Sequence, residues 1–243
     1  MNDDPDILVD RDADQLARSI SDQLVSTLAA LQAQDRVPAV VLTGGTIADK
    51  VHRAVAARAD DGRVDWSRVE LFWGDERFVP ADSEDRNERQ AREALLDHVD
   101  VDEALVHPVP ADDGTLTVDE AAARYADVVR DRVFDIVMLG VGPDGHVASL
   151  FPGKPTLAVD DRDTVSETDS PKPPASRVSL TFPALNRGRE VWFLVSGSGK
   201  ADAVARALDG DDVTRTPAAG VRGTEQTLWM LDEDAAAQVP DVQ

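Results

Sequence analysis

The sequence predicts an α/β protein: a mainly parallel sheet flanked by helices on both faces, with a small β-containing excursion. Three observations carry this expectation. Short apolar runs recur along the chain and end in turns rich in glycine or charge. Segments with apolar residues three and four positions apart separate these runs, the spacing of amphipathic helices. The runs themselves are continuously apolar, which fits strands covered on both faces.

In order along the chain, residues 13–34 place Leu16, Ile20, Leu24, Leu28 and Leu31 on one helical stripe. Residues 38–42, Pro-Ala-Val-Val-Leu, form a first short strand, followed by Thr43-Gly-Gly-Thr46 and a helix over about 47–59. Residues 69–73 form a second strand running into a Gly74-Asp-Glu-Arg77 loop. Helices follow near 86–99 and 117–132, then a strand at 134–139. Residues 164–167 and 177–182 read as extended segments, and the proline-rich stretch 169–176 between them reads as a surface excursion. A buried strand at 190–196, a helix after Gly197-Ser-Gly-Lys200, a strand at 227–231 and a short terminal helix complete the pattern. The whole chain, 1–243, is expected to be a single α/β domain.

Composition removes several classes of function. Cysteine is absent, which excludes disulfides, thiolate zinc sites and cysteine nucleophiles. A net charge of −22 speaks against nucleic acid or anionic membranes as partners, since both need a basic face. The start, Met-Asn-Asp-Asp-Pro-Asp, lacks the basic and apolar regions of a signal peptide, so a cytoplasmic protein is expected. The acidity fits either a genome-wide bias or adaptation to high salt. Either way, a chain this acidic must gather its useful cations locally, which gives weight to each lysine and arginine beside a glycine turn.

Four strand-end segments carry candidate chemistry. Gly44, Gly45 and Thr46 offer open backbone N–H groups at a helix start, suited to phosphate; an ordinary βα turn with Thr46 as N-cap is the alternative. Asp75 and Glu76 follow a buried strand and suit a histidine or sugar hydroxyls, with Arg77 a bidentate partner for phosphate. A surface ion pair is the bland reading of the same residues. Asn87 is either a helix N-terminal residue or a ligand contact. The third segment is Leu139-Gly-Val-Gly-Pro-Asp-Gly-His-Val-Ala-Ser-Leu-Phe-Pro-Gly153. Gly140, Gly142 and Gly145 fit G-x-G-x-x-G, but Pro152 comes seven positions after Gly145, too soon for the long helix a dinucleotide site needs. The loop instead presents His146, a general base near neutral pH, with Asp144 or Asp75 to fix its tautomer. A purely structural histidine is the competing reading. The fourth segment supplies Arg177 and Lys200, anion ligands or solvated cations. No His-x-x-x-His pair or close Asp/His cluster appears, so no metal is expected.

Taken in order, Thr43–Thr46, Trp73-Gly-Asp-Glu-Arg77 with Asn87, the Asp-Gly-His-Val-Ala-Ser-Leu-Phe-Pro segment, Arg177-Val-Ser-Leu-Thr181, Gly197-Ser-Gly-Lys200 and Trp229-Met-Leu-Asp232 resemble the 6-phosphogluconolactonase family. The resemblance runs from about residue 37 to 237. It implies a modified Rossmann fold shared with glucosamine-6-phosphate deaminase and related sugar-phosphate isomerases. The deaminase pattern carries a catalytic acid soon after the histidine; here Val147-Ala-Ser-Leu-Phe-Pro152 has none. The familiar Thr-Pro after the phosphate loop is replaced by Ile47-Ala-Asp-Lys50. The implied activity is hydrolysis of 6-phospho-D-glucono-1,5-lactone in the oxidative pentose phosphate pathway, without metal or cofactor. In that reaction His146 would activate water, with Asp144 and Asp75 holding the imidazole or sugar hydroxyls. Gly44, Gly45, Thr46, Arg77, Asn87, Arg177 and Lys200 would hold phosphate or developing negative charge. A monomer or weak homodimer is expected.

Overall fold

A computed structural model describes residues 5–240; the first four residues of the acidic start and the last three of the chain lie outside the described residues. Six parallel strands form the main sheet: β1 (Asp6–Asp10), β2 (Ala39–Leu42), β3 (Glu70–Trp73), β5 (Ile136–Leu139), β8 (Glu190–Val195) and β9 (Gln226–Asp232). Their spatial order is β1-β9-β8-β5-β2-β3. β2 leads outward to β3 on one side, whereas β5 leads back through β8 and β9 on the other. Such a reversal of direction opens a crevice between strand ends, and ligands of open α/β sheets sit there. The loops leaving β2 and β5 are those holding Gly44–Thr46 and His146.

The sheet is flanked by the helices α1 (Ala13–Gln32), α2 (Thr46–Ala56), α3 (Asn87–Ala94), α4 (Val118–Val129), α5 (Phe182–Leu185), α6 (Ala201–Leu208) and α7 (Glu233–Ala236). α1 starts where the Asp12 side chain accepts from the Gln15 N–H, and it buries Leu16, Ile20, Leu24 and Leu28. Each such side chain contributes about 1.5–3 kcal/mol on leaving water. α4 begins in a reciprocal capping box between Thr117 and Glu120. Every residue of β2 and β5 is buried, as a sheet covered on both faces requires. On β8 and β9 the register pairs Phe193 with Trp229, and their rings stack at 4.0 Å.

A second, three-stranded antiparallel sheet has the order β4-β7-β6, formed by Asp75–Arg77, Arg177–Leu180 and Thr164–Glu167. This is the expected excursion. It is tied to α4 where the Thr164 hydroxyl donates to the Ala122 carbonyl at 2.7 Å. α4 also holds the end of β3: the buried Tyr125 hydroxyl donates to the Trp73 carbonyl and accepts from the Trp73 N–H, both at 2.9 Å.

The architecture follows the sequence expectation with three corrections. β1 was not anticipated; it pairs in parallel with β9 along its whole length, a contact between the two ends of the chain that no local pattern announces. Asp75–Arg77, expected to be a loop, is strand β4, because β7 supplies a distant antiparallel partner. The predicted strand at 177–182 ends at Leu180, and Phe182-Pro183 begins the short helix α5. Among the described residues no helix is long and apolar enough to cross a membrane.

Candidate active site

A cleft of about 540 Å³ opens at the crevice, lined from all four expected segments. Behind β2, Gly45 is the N-cap of α2 with φ of 104°, in the left-handed region that favours glycine. Thr46 is therefore the first helical residue, not the N-cap that the alternative reading of this turn required, and no side chain caps this end. The first N–H groups of α2 are left for a ligand, where the helix dipole favours an anion. Gly44 packs against Asn87 so closely that a Cβ would sit 1.9 Å from Asn87 Oδ1. One turn into α2, Lys50 also lines the cleft and pairs with Asp14 at 2.5 Å.

Alternation along β4 splits its three residues. Asp75 and Arg77 line the cleft, while Glu76 is fully buried. The Glu76 carboxylate accepts from the backbone N–H groups of Arg77, Asn87 and Glu88 at 2.8–2.9 Å, with the Arg86 guanidinium 4.0 Å away. It thereby caps α3, whose own N-cap residue Arg86 makes no capping bond. Burial pushes Glu76 up to about 7, against the opposing pull of Arg86 and the three N–H donors. Asn87 donates to the Asp75 carbonyl at 2.9 Å and accepts from Arg77.

Arg77 and Arg177 are directly opposite partners in the β4–β7 ladder, and both line the cleft. Like charges so placed destabilise a sheet unless an anion sits between them. Arg177 is also buried, which lowers its pKa, Asp75 opposing. Its Nε donates to the Pro174 carbonyl at 2.9 Å and its Nη2 to those of Lys172 and Pro173 at 3.1 and 3.2 Å. Arg177 thus holds a strap that brings Lys172 to the cleft wall.

Beyond β5, no helix follows the glycines. Gly142 N–H donates to the His146 carbonyl and Gly145 N–H to the Gly142 carbonyl, both at 2.9 Å, closing a tight loop. His146 Nδ1 lies 2.5 Å from Asp144 Oδ1, and its ring packs on Phe151 at 4.7 Å. Burial alone would raise Asp144, but the hydrogen bond and charge of His146 outweigh it and hold Asp144 at about 2. A Cβ on Gly142 would stand 2.0 Å from His146 Nδ1 and 2.4 Å from Asp144 Oδ1, so the pair exists only because residue 142 is glycine. Ala148 takes a left-handed φ of 49°, at a cost of about 1–3 kcal/mol, and turns Ser149 inward.

Lys200 follows β8. Its Nζ donates to the Val141 carbonyl at 2.7 Å, which places it against the histidine loop. Burial lowers its pKa, the charge of Lys172 adds to this, and Asp144 opposes.

The expected site residues line the cleft except Asp144, which reaches it through His146, and Glu76, which was offered beside Asp75 but points into the protein and caps α3 instead. Of the two acids offered as partner for the imidazole, Asp144 has the role; the Asp75 carboxylate instead accepts from the Ser149 hydroxyl at 2.6 Å. Lys50 and Lys172 were not singled out. Their signal was rarity: the chain has lysine only at 50, 154, 172 and 200, and three of these four line the cleft. No group of three His, Cys, Asp or Glu among the described residues is arranged to hold a metal ion.

Comparison with known proteins agrees with this geometry. Residues 11–229 match the family described as glucosamine-6-phosphate isomerases/6-phosphogluconolactonase. The chain is 46% identical to a 6-phosphogluconolactonase of Mycobacterium tuberculosis, covering 94% of this chain and 96% of that one. It is 43% identical to one of Streptomyces coelicolor, covering 99% and 97%. The crystal structure of 6-phosphogluconolactonase from Thermotoga maritima superposes with a TM-score of 0.82 at 30% identity, covering 94% of this chain and 99% of that one. A monomeric glucosamine-6-phosphate deaminase shares the fold, with a TM-score of 0.81 at 17% identity, covering 96% and 99%. By the extent of these matches, the chain is a member of the glucosamine-6-phosphate isomerase/6-phosphogluconolactonase family.

Proposed function

We propose that this chain hydrolyses 6-phospho-D-glucono-1,5-lactone to 6-phosphogluconate, the lactonase step of the oxidative pentose phosphate pathway. The observation that carries the reading is the Asp144–His146 pair standing in one cleft with Lys50, Arg77, Lys172, Arg177 and Lys200. A δ-lactone is an activated ester, so it needs a positioned water, a base and stabilisation of the oxyanion. The relatives named 6-phosphogluconolactonase support the same substrate.

With Nδ1 engaged by Asp144, His146 presents Nε2 to the cleft as the base. Nε2 takes a proton from water as the water oxygen bonds to C1, and the carbonyl electron pair moves onto oxygen. Collapse of the tetrahedral intermediate breaks the C1–O5 bond, and the imidazolium returns its proton to the departing C5 oxygen. Asp144 stabilises the transient imidazolium at 2.5 Å. The Gly44–Thr46 helix start and the surrounding cations balance the phosphate and the oxyanion, and Asp75 orients sugar hydroxyls. Every step is supplied by side chains and water, without metal or cofactor, in a chain acting as one catalytic unit in the cytoplasm.

A second reading, deamination of glucosamine 6-phosphate, shares the fold. It is disfavoured because Val147-Ala-Ser-Leu-Phe-Pro152 offers no carboxylate after the histidine. The test is a coupled assay with freshly generated 6-phosphogluconolactone, corrected for spontaneous hydrolysis, with and without a chelator. Acceleration unaffected by chelation is expected. No acceleration, together with ammonia release from glucosamine 6-phosphate, would replace this reading with the deaminase.

A further inference from the structure

The hydroxyl of Ser149 is buried beside the site and takes no part in the steps above. Ser149 lies three residues after His146 on the histidine loop, is wholly inaccessible to solvent, and donates to Asp75 Oδ2 at 2.6 Å. The two groups come from different layers: the loop leaves the main sheet, whereas Asp75 opens the small antiparallel sheet. The left-handed turn at Ala148 makes this contact possible, keeping residues 146 and 148 at the cleft wall while 149 points inside. The backbone N–H of Ser149 is anchored separately, donating to Ser179 Oγ at 3.1 Å, and Ser179 in turn donates to the Leu180 carbonyl at 3.0 Å.

We propose that Ser149 is a positioning residue for the reaction, which sets the Asp75 carboxylate against the substrate and locks it in register with His146. The inference rests on the lactonase reading and on Asp75 as a substrate contact. A carboxylate at a cleft wall can rotate, and a donor fixed on one oxygen leaves the other aimed in one direction. The short Ser149 hydroxyl is that donor, and burial prevents water from taking its place. Because one hydrogen bond links both halves of the cleft, Asp75 and His146 meet the sugar as one preset unit.

Ser149 has two anchors and only one engages the Asp75 carboxylate, which separates positioning from mere loop stability. Ser149→Ala is expected to lower kcat/KM on the lactone about 10- to 100-fold, the range for loss of a hydrogen bond to a charged group. Ser179→Ala loosens the same loop while keeping the Ser149–Asp75 hydrogen bond and the backbone pairing of residue 179 with Asp75; it is expected to lower Tm comparably yet leave kcat/KM within about twofold of wild type. In an Asp75→Asn background, adding Ser149→Ala should cost little more, since both changes remove one interaction. Ser149→Cys leaves no cavity, being slightly larger, while weakening the donor, so it tests the hydrogen bond even if the alanine variant folds poorly, and a several-fold loss is expected. Unchanged kcat/KM in Ser149→Cys, equal losses in the Ser149 and Ser179 alanine variants, or additive losses with Asp75→Asn would each overturn the proposal. A wild-type protein without lactonase activity would remove the underlying reading instead, a result distinguishable from an active enzyme indifferent to Ser149.

Discussion

At the histidine end of the cleft, Gly142, Asp144 and His146 come from one loop of five residues, whereas the arginine end draws Arg77, Asn87 and Arg177 from three separate segments. The first is held by local backbone geometry: two loop hydrogen bonds, a glycine that admits the imidazole, and an acid two residues away. The second is held by long-range strand pairing and by a buried carboxylate that caps α3. The contrast shows two ways of placing charge in a site. The local design is sensitive to a single added methyl group, and its Asp144–His146 contact is made within the loop itself. The assembled design concentrates cations at the expense of stability, and the fold has to restrain it.

The sharpest way to break the comparison is at His146. Its replacement by alanine should lower kcat about 10²–10⁴-fold, the usual contribution of general base catalysis. The fold should be retained, with Tm lowered only by the loss of the Asp144–His146 contact, and near-wild-type turnover would remove His146 from the mechanism. Gly142→Ala tests the same end without touching a reacting group. The new Cβ must displace the imidazole or Asp144, and misplacement of about 1 Å costs roughly 10²-fold. Unchanged kcat would mean that the loop accommodates the methyl group and is not locally determined.

At the arginine end, Arg77→Gln should raise KM about 10- to 100-fold, as expected on losing a charged hydrogen bond to an anion. It should also leave the folded state as stable or a few tenths of a kcal/mol more stable, because like charges opposite Arg177 are relieved. Calorimetry beside kinetics checks both; lower stability with normal KM would make the pair structural. The smallest effect concerns pH. Glu76 in the folded protein titrates at about 7, above its ordinary 4.5, so the folded state binds the extra proton between these values. Stability from this group is complete below 4.5 and is lost as pH rises through 7, by an amount on the order of 1–3 kcal/mol. Asp144 behaves oppositely: its contribution holds above 3.8 and is lost only as pH falls through about 2. From pH 5 to 8.5 the arginine end should therefore be the pH-sensitive one. Tm of the wild type should fall across that range more steeply than Tm of Glu76→Gln, and parallel slopes would show that Glu76 does not titrate there.

The two ends were also unequally legible. The histidine loop could be read from adjacent residues, since glycines, an acid and an imidazole after an apolar run are a contiguous pattern. The Thr43–Thr46 turn was legible for the same reason, although Gly45 rather than Thr46 is the cap. Glu76 could not be read, because only the pairing of Asp75–Arg77 with Arg177–Ser179 turns its side chain inward. The Ser149–Asp75 contact depends on a left-handed alanine, a conformation that alanine does not advertise. Strand β1 escaped for a third reason: Asp6-Ile-Leu-Val-Asp10 is bounded by charges, and its identity as a strand comes wholly from β9.

The sparing use of lysine has a practical meaning. A reagent that acylates primary amines meets four lysine side chains in this protein, and Lys50, Lys172 and Lys200 all stand in the cleft. Dye labelling or surface immobilisation through lysine is therefore directed at the site itself. Coupling through the 47 aspartate and glutamate side chains offers far more attachment points elsewhere.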